Sequence, residues 1–355
     1  MKKIKVLHIS GTMNMGGQET FIMNIMRNIN RNKIQFDFVV HDNKKNYFED
    51  EIEKLGGHIY KITPISKNPI KHIFELRKVL VKGKYNVVHR HSAYSIVFID
   101  LLVAKLCKIK KIITHSHANG CKNKFIHKMF IPFINLLSTD KFACSDAAGK
   151  WMFGHSKFIV IPNAININDY IYNEKSRNKI RKQYHINSKE IVIGNVGAFR
   201  TEKNQIWMIN MFKKLIEYDK NYKLMICGDG DLRAEIQKTI KQLSLSDNVI
   251  LTGNVDTSEY YSAFDIFLLP SIYEGLGIVL IEAQVSGLPC IVSNQIQNEA
   301  IISKSVSKLD FNYNKWINTI KKTNYIQDRV NIDDVKYEKY DILKLCLYLE
   351  NNVYK

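Results

Sequence analysis

The sequence predicts two doubly wound α/β domains in series, on three observations. Short β-branched runs alternate with longer helical patterns throughout the 355 residues, the mark of parallel strands joined by crossover helices. The series runs twice, with a join near residues 166–189. Unusual residues gather at strand ends, where open parallel sheets bind ligands: Gly11, Gly16-Gly17, His91, His117, Asn163, Gly197, Gly228-Asp229-Gly230, Gly253 and Glu274. The reading sets a first domain at 1–170, a second at 171–335, and a helical tail from about 336 to 355 that packs back on the first. Facing strand ends would then form one two-sided cleft.

The first series places strands at 5–10 (KVLHIS), 36–41, 58–62, 86–91, 111–117, 141–145 and 158–165. Helical patterns fall between them, as at 18–30, 70–82, 94–107 and 123–138. The second places strands at 190–198, 222–230, 248–254, 265–271 and 289–294, again with helices between, as at 204–217.

Composition narrows the class. The apolar fraction of 45% and charged fraction of 24% are those of a globular protein. The start, Met1-Lys2-Lys3 before a short apolar strand, does not read as a secretory signal, and no apolar run approaches the ~20 residues of a membrane span. Six scattered cysteines with no CxxC read as reduced thiols and argue against structural zinc. The net charge of +18 is lopsided: residues 1–170 hold 27 Lys and Arg against 12 Asp and Glu, and 171–355 hold 25 against 22. Such a basic half implies an anionic partner, although composition bias of the source genome is an alternative cause.

Three stretches carry chemistry. The loop SGTMNMGGQETF ends in Gly16 and Gly17 just before a helix, where backbone N–H groups can approach a phosphate or sugar. Tight packing is an equal use of such a pair. It is not G-x-G-x-x-G and no acid closes the second strand, so a nicotinamide enzyme is disfavoured. In GNVGAFRTEKNQ, Arg200 and Lys203 follow the strand-ending Gly197 and suit a diphosphate, or form a solvated basic loop. In PSIYEGLGIVLIEAQVSGLPCIVSN a helix is expected to start near Ile278. The amides of Leu276, Gly277 and Ile278 are then free donors at its positive end. Glu274 stands ahead of that end and Glu282 about one turn inside.

That spacing resembles the E-x7-E segment of glycosyltransferase family 4, retaining transferases with the GT-B fold. MNMGGQETFIMNIMRNI, IITHSHANG, VGAFRTEKNQ and LTGNVDTSEYYSAFDIFLLPS follow the same family in the right order, over roughly residues 4–300. The branch it resembles builds bacterial capsular and exopolysaccharide glycans. The resemblance implies a nucleotide-sugar donor, UDP by default, in the second domain and a glycan acceptor in the first. It assigns Glu282 to the donor ribose, Glu274 to the transferred sugar, and the amides of Leu276, Gly277 and Ile278 with Lys203 to the diphosphate. Val255 is assigned to the base, Gly16 and Gly17 to the donor phosphate and acceptor side, and His117 to the donor sugar. Glu274, His117 and Lys203 stand at the chemistry. His115 is expected to point elsewhere. Ala198 departs from the family, which often has Arg there; Arg200 is the candidate to replace its charge.

The resemblance implies retention, with a diphosphate oxygen as base. With no DxD-like acidic motif, no metal and no other cofactor is expected. The segment 122–138 mixes Lys122, Lys124 and Lys128 with Phe125, Ile126, Met129, Phe130, Ile131, Phe133 and Ile134. It is read either as a membrane-interface helix or as an ordinary domain helix. The combined expectation is a cytoplasmic enzyme, peripheral on the inner face of the membrane, extending a polyprenyl-diphosphate-linked glycan. A nucleotide-sugar 2-epimerase and a non-catalytic binding module are the rival readings. Nucleic-acid binding finds no recognised basic-aromatic module.

Overall fold

The computed structural model describes residues 3–14, 16–118, 120–121, 123–274, 276–325 and 329–355, the side chain of Asp334 apart. The chain divides into two compact units, residues 1–165 with 339–355, and residues 166–338.

In the first unit, among the described residues, seven parallel strands form one sheet. They are β1 (Ile4–Ile9), β2 (Ile34–Val40), β3 (Ile59–Lys61), β4 (Val87–Ser92), β5 (Lys111–Ser116), β6 (Asp140–Ala143) and β7 (Ile159–Val160). Their order is β3-β2-β1-β4-β5-β6-β7, so the winding reverses between β1 and β4. The crossovers are α1 (Gly17–Asn28), α2 (Glu49–Lys54), α3 (Pro69–Gly83), α4 (Phe98–Leu106), α5 (Lys124–Leu137) and α6 (Asp146–Phe153). One face of the sheet buries Val6, Phe36, Phe38, Val87 and Ile113 under Phe21, Ile22 and Ile25 of α1. The other buries Leu7, Ile9, Val88 and Ile112 under Leu76, Leu80, Leu101 and Ala104.

The second unit holds α7 (Ile167–Tyr170), α8 (Glu174–Gln183), α9 (Gln205–Tyr218), α10 (Arg233–Gln242), α11 (Tyr260–Ala263), α12 (Ile278–Val285) and α13 (Tyr313–Lys322). Its parallel sheet is β8 (Ile191–Val196), β9 (Tyr222–Cys227), β10 (Val249–Gly253), β11 (Ile266–Leu269), β12 (Cys290–Ser293) and β13 (Val306–Leu309). The order β10-β9-β8-β11-β12-β13 reverses between β8 and β11. The last α-helix, α14 (Ile342–Tyr348), and the π-helical turn Leu349–Val353 after it lie in the first unit, where Ile342, Cys346, Leu349, Val353 and Tyr354 join the α1 core.

Asparagine starts many of these helices. The side chains of Asn68, Asn123, Asn173 and Asn312 accept from the amides of Lys71, Ile126, Ser176 and Lys315, satisfying a first-turn donor at each. Pro69 adds a pre-set φ at the first turn of α3.

Several elements differ from the sequence expectation. The helix at 94–107 is a 3-10 turn, Ser95–Val97, followed by α4. The strand at 158–165 shrinks to Ile159–Val160, a half-exposed strand at the sheet edge paired with β6. The short edge strand β13 has no strand pattern in its sequence, because Ser307 and Lys308 interrupt the apolar run. Lys122 and Gly275 lie outside the described residues.

Candidate functional site

The reversal between β8 and β11 brings the loops after these two strands together. Ile272 N donates to the carbonyl of Glu202 (2.8 Å), tying the loop after β11 to the 3-10 turn Thr201–Lys203. The Lys203 ammonium then meets both carboxylate oxygens of Glu274, at 2.7 and 2.6 Å. Both side chains are mostly buried, 19% and 13% exposed, so the pair is shielded from water.

Gly277 makes this packing possible. It has φ +69°, and a Cβ there would lie 3.1 Å from Glu274 Cγ. Glycine turns the chain into α12 in this left-handed conformation without steric cost and leaves Glu274 room to fold over the turn. Leu276 and Gly277 are buried and Ile278 is half-buried as the first residue of α12. The loop holding Lys203 is fixed from the other side. Gly228 and Gly230, at φ +148° and +156°, pack directly on the backbone of Gly197 and Phe199, where a side chain would collide. Gly197 N donates to Cys227 O (3.0 Å) and Gly228 N to Gly253 O (2.9 Å), which gathers the ends of β8, β9 and β10. Arg200 is exposed, as is Ala198, and Val255 is half-buried in the loop after β10.

Glu282 is buried on the fifth residue of α12. Its Oε2 accepts from Tyr261 Oη at 2.5 Å, and the Tyr170 side chain lies close enough to favour the ionised carboxylate as well. Burial pushes the carboxyl up to about 7, against the pull of the two tyrosines; Asp256 adds to the rise. The same burial, with the nearby carboxylate, lifts the Tyr261 phenol well above its ordinary value. Four lone-pair positions on a carboxylate leave room beyond two phenols for ligand hydroxyls. These tyrosines were not among the expected site residues. Tyr261 lies within the quoted 251–271 stretch, but a contact 21 residues away in sequence has no local signature.

In the first unit, Gly16 precedes α1 in extended backbone and Gly17 is its exposed first residue, near the Asn163 side chain. His117 follows β5, half-buried, with Nε2 2.9 Å from His91 Nδ1. The expectation for His115 is corrected. Residues two apart on a strand share a face, and the His115 and His117 rings lie 4.1 Å apart on the α1 side, both against Phe21.

Two parallel-sheet, doubly wound units, with an ion pair and a helix start at the winding reversal of the second, define the GT-B class of glycosyltransferase. Comparison with known proteins gives the family. Residues 176–324 match the model described as Glycosyl transferases group 1, and residues 15–169 match Glycosyltransferase Family 4. EpsF of Bacillus subtilis (strain 168), which bears a glycosyltransferase name, is 32% identical over 306 residues, covering 82% of this chain and 79% of that one. The Escherichia coli UDP-Gal:alpha-D-GlcNAc-diphosphoundecaprenol alpha-1,3-galactosyltransferase is 26% identical over 251 residues, 66% of this chain and 64% of that one. A crystal structure of Anabaena HepE in complex with UDP superposes with a TM-score of 0.81 at 17% identity, covering 99% of both chains. The chain belongs to the family 4 glycosyltransferases and is an enzyme of that kind.

Proposed function

We propose that the chain moves a sugar from a UDP-sugar to a lipid-linked glycan in bacterial surface polysaccharide synthesis, with retention of the anomeric configuration. The observation that carries this reading is the Lys203–Glu274 pair over the start of α12. A diphosphate seated there takes Lys203 and the amides of Leu276, Gly277 and Ile278 at the start of α12 as donors. Glu274, released from part of its ion pair, accepts from hydroxyls of the transferred sugar. Glu282 accepts from the ribose, and Val255 flanks the base. As the anomeric C–O bond breaks, the diphosphate gains charge and the fixed cation and amides stabilise it. Exposed Arg200 is not held in this cluster, so Lys203 and the amides carry that charge. The acceptor hydroxyl attacks from the departing side and gives its proton to a diphosphate oxygen. Neither glutamate forms a covalent bond, and the Lys203 ammonium with the helix amides stands where a divalent metal would.

The named donor and acceptor of the Escherichia coli relative support UDP and a diphospho-lipid carrier. Helix α5 supports a membrane position. Its buried residues are His127 and Ile134, and Phe125, Met129, Phe133 and Leu136 are exposed beside Lys124 and Lys128. The helix is instead anchored by polar bonds, from Ser95 N to His127 Nδ1 (3.1 Å) and between His127 Nε2 and Trp151 O (2.9 Å). Among the described residues no helix is long and apolar enough to cross a membrane.

The test is a panel of nucleotide-sugars screened by thermal shift, followed by NMR of the product formed on a diphospholipid-linked acceptor. A stabilising UDP-sugar and a retained anomer are expected. An inverted anomer, or conversion of the donor sugar without acceptor, would sink the reading, the latter in favour of an epimerase.

A further inference from the structure

Five histidines occupy one face of the first sheet where aliphatic residues would be the ordinary choice. His8 stands on β1, His89 and His91 on β4, and His115 and His117 at the end of β5. Strand register sets His8 beside His89 and His91 beside His115. Burial keeps the rings neutral, lowering His8 and His117 to about 3 and His89, His91 and His115 well below the ordinary range.

Three of the rings form a chain. His8 Nδ1 lies 3.0 Å from His91 Nε2, and His91 Nδ1 lies 2.9 Å from His117 Nε2. The two outer nitrogens, His8 Nε2 and His117 Nδ1, are buried with no hydrogen-bond partner among the described residues. A neutral imidazole carries one N–H and one lone pair. Each contact in the chain needs one hydrogen between its two nitrogens. Three neutral rings so joined have only two proton arrangements: all hydrogens on Nδ1, or all on Nε2. The character of the outer nitrogen of His117 is therefore tied to His8, two rings away. His89 lies beside this chain without being a link, its Nδ1 paired with Tyr354 Oη (2.9 Å).

Two considerations select the Nε2–H arrangement. It is the intrinsically favoured tautomer of a neutral histidine side chain. It also leaves the outer hydrogen of His8 within an aromatic surround, where Phe36 packs T-shaped at 4.3 Å and 65° and Phe38 stacks at 5.5 Å. We infer that His8 and His91 are positioning residues that hold His117 as its Nε2–H tautomer, so that His117 Nδ1 keeps its lone pair and acts as a hydrogen-bond acceptor toward any group that reaches it. Such a nitrogen takes a hydroxyl or amide N–H and rejects an ionised oxygen. That the ligand group is a sugar hydroxyl rests on the proposed function; the tautomer does not.

The rings also fall into two trios, His8–His89–His91 and His91–His115–His117, each with one nitrogen per ring within 4.8 Å of the others. A transition metal there would cost the chain a hydrogen bond and would find no anionic ligand in either trio.

The test is long-range 1H–15N correlation of the full chain labelled at histidine, at neutral pH, with and without EDTA, assigned through His117→Gln. Expected is a protonated Nε2 and a lone-pair Nδ1 on His117. His8→Phe removes the acceptor for His91 Nε2–H, so the chain reverses and the two nitrogens of His117 exchange character. His89→Phe, 5.1 Å from His8 but outside the chain, leaves His117 as in wild type. A wild-type His117 that is Nδ1-protonated or mixed, an equal response to the two phenylalanine variants, or EDTA-dependent shifts each overturn the inference. If His8→Phe does not fold, the wild-type spectrum decides. A correct tautomer in a chain that binds no nucleotide-sugar would fault the proposed function alone.

Discussion

Lys203 and Glu274, 71 residues apart in sequence, share a bidentate ion pair in which both carboxylate oxygens lie within 2.7 Å of one ammonium. On the proposed function, a donor diphosphate competes with Glu274 for that cation. Replacing Glu274 by Gln removes the competitor, so UDP binds the variant about tenfold more tightly, the size of one charge-assisted hydrogen bond. Sugar transfer falls in the same variant. Lys203→Met should lose both, with kcat down about 10²–10³, as for one preorganised donor at a developing anion. Calorimetry with UDP and initial rates read the two effects; weaker UDP binding by Glu274→Gln would rule out the competition.

Glu282 makes stability depend on pH. Its folded value of about 7 stands above the ordinary 4.5, so the folded chain holds a proton that the unfolded chain releases. That contribution is complete below the ordinary value and is lost as pH rises through 7. Glu282→Gln removes the titration, and its stability relative to wild type should climb between pH 5 and 8 by up to about 3 kcal/mol. Urea midpoints across that range check it, and parallel curves for the two proteins would contradict it. Nucleotide affinity of the wild type should rise over the same interval, because the carboxylate accepts hydroxyls better than the acid.

At Gly277 a side chain meets both a left-handed backbone and Glu274 Cγ. Gly277→Ala should cost about 1–2 kcal/mol of stability and lower kcat by displacing Glu274. Gly11→Ala is the control, because that glycine has open space around its missing Cβ. Equal thermal and kinetic losses in the two variants would discount the conformational argument.

The parts that were legible in the sequence share a local cause. Strands β1, β2, β8, β9 and β11 are written as apolar runs, the start of α12 as glycines, and α1, α3, α5 and α9 as helical periodicity. Local pattern does not report contacts across the sheet. Lys203 with Glu274 and Tyr261 with Glu282 depend on which strands become neighbours, and no spacing encodes that. His115 differs from these: the two-residue period of a strand is local and puts it on the same face as His117. Buried polar groups are hardest, since a histidine in an apolar run reads the same whether it packs, pairs or belongs to a chain of rings.

Helix α5 tests the membrane reading. Lys124 and Lys128 stand on the same exposed helix as Phe125, Met129, Phe133 and Leu136, so charge and apolar area act on one surface. Each lysine near an anionic bilayer contributes about 1 kcal/mol, so Lys124→Glu with Lys128→Glu should weaken binding to phosphatidylglycerol vesicles at low salt by at least about thirtyfold. The apolar term is separable. Phe125→Ser with Leu136→Ser should weaken binding at every ionic strength, whereas the charge reversal matters less as salt screens the surface. Ile134, buried in the same helix, is left intact so that neither pair disturbs the core. Sedimentation of the three proteins with vesicles across a salt series gives the answer. Equal pelleting of all three would remove α5 from the interface, whereas an effect of the charge pair alone would make the contact electrostatic and leave the exposed aromatics for the acceptor's lipid.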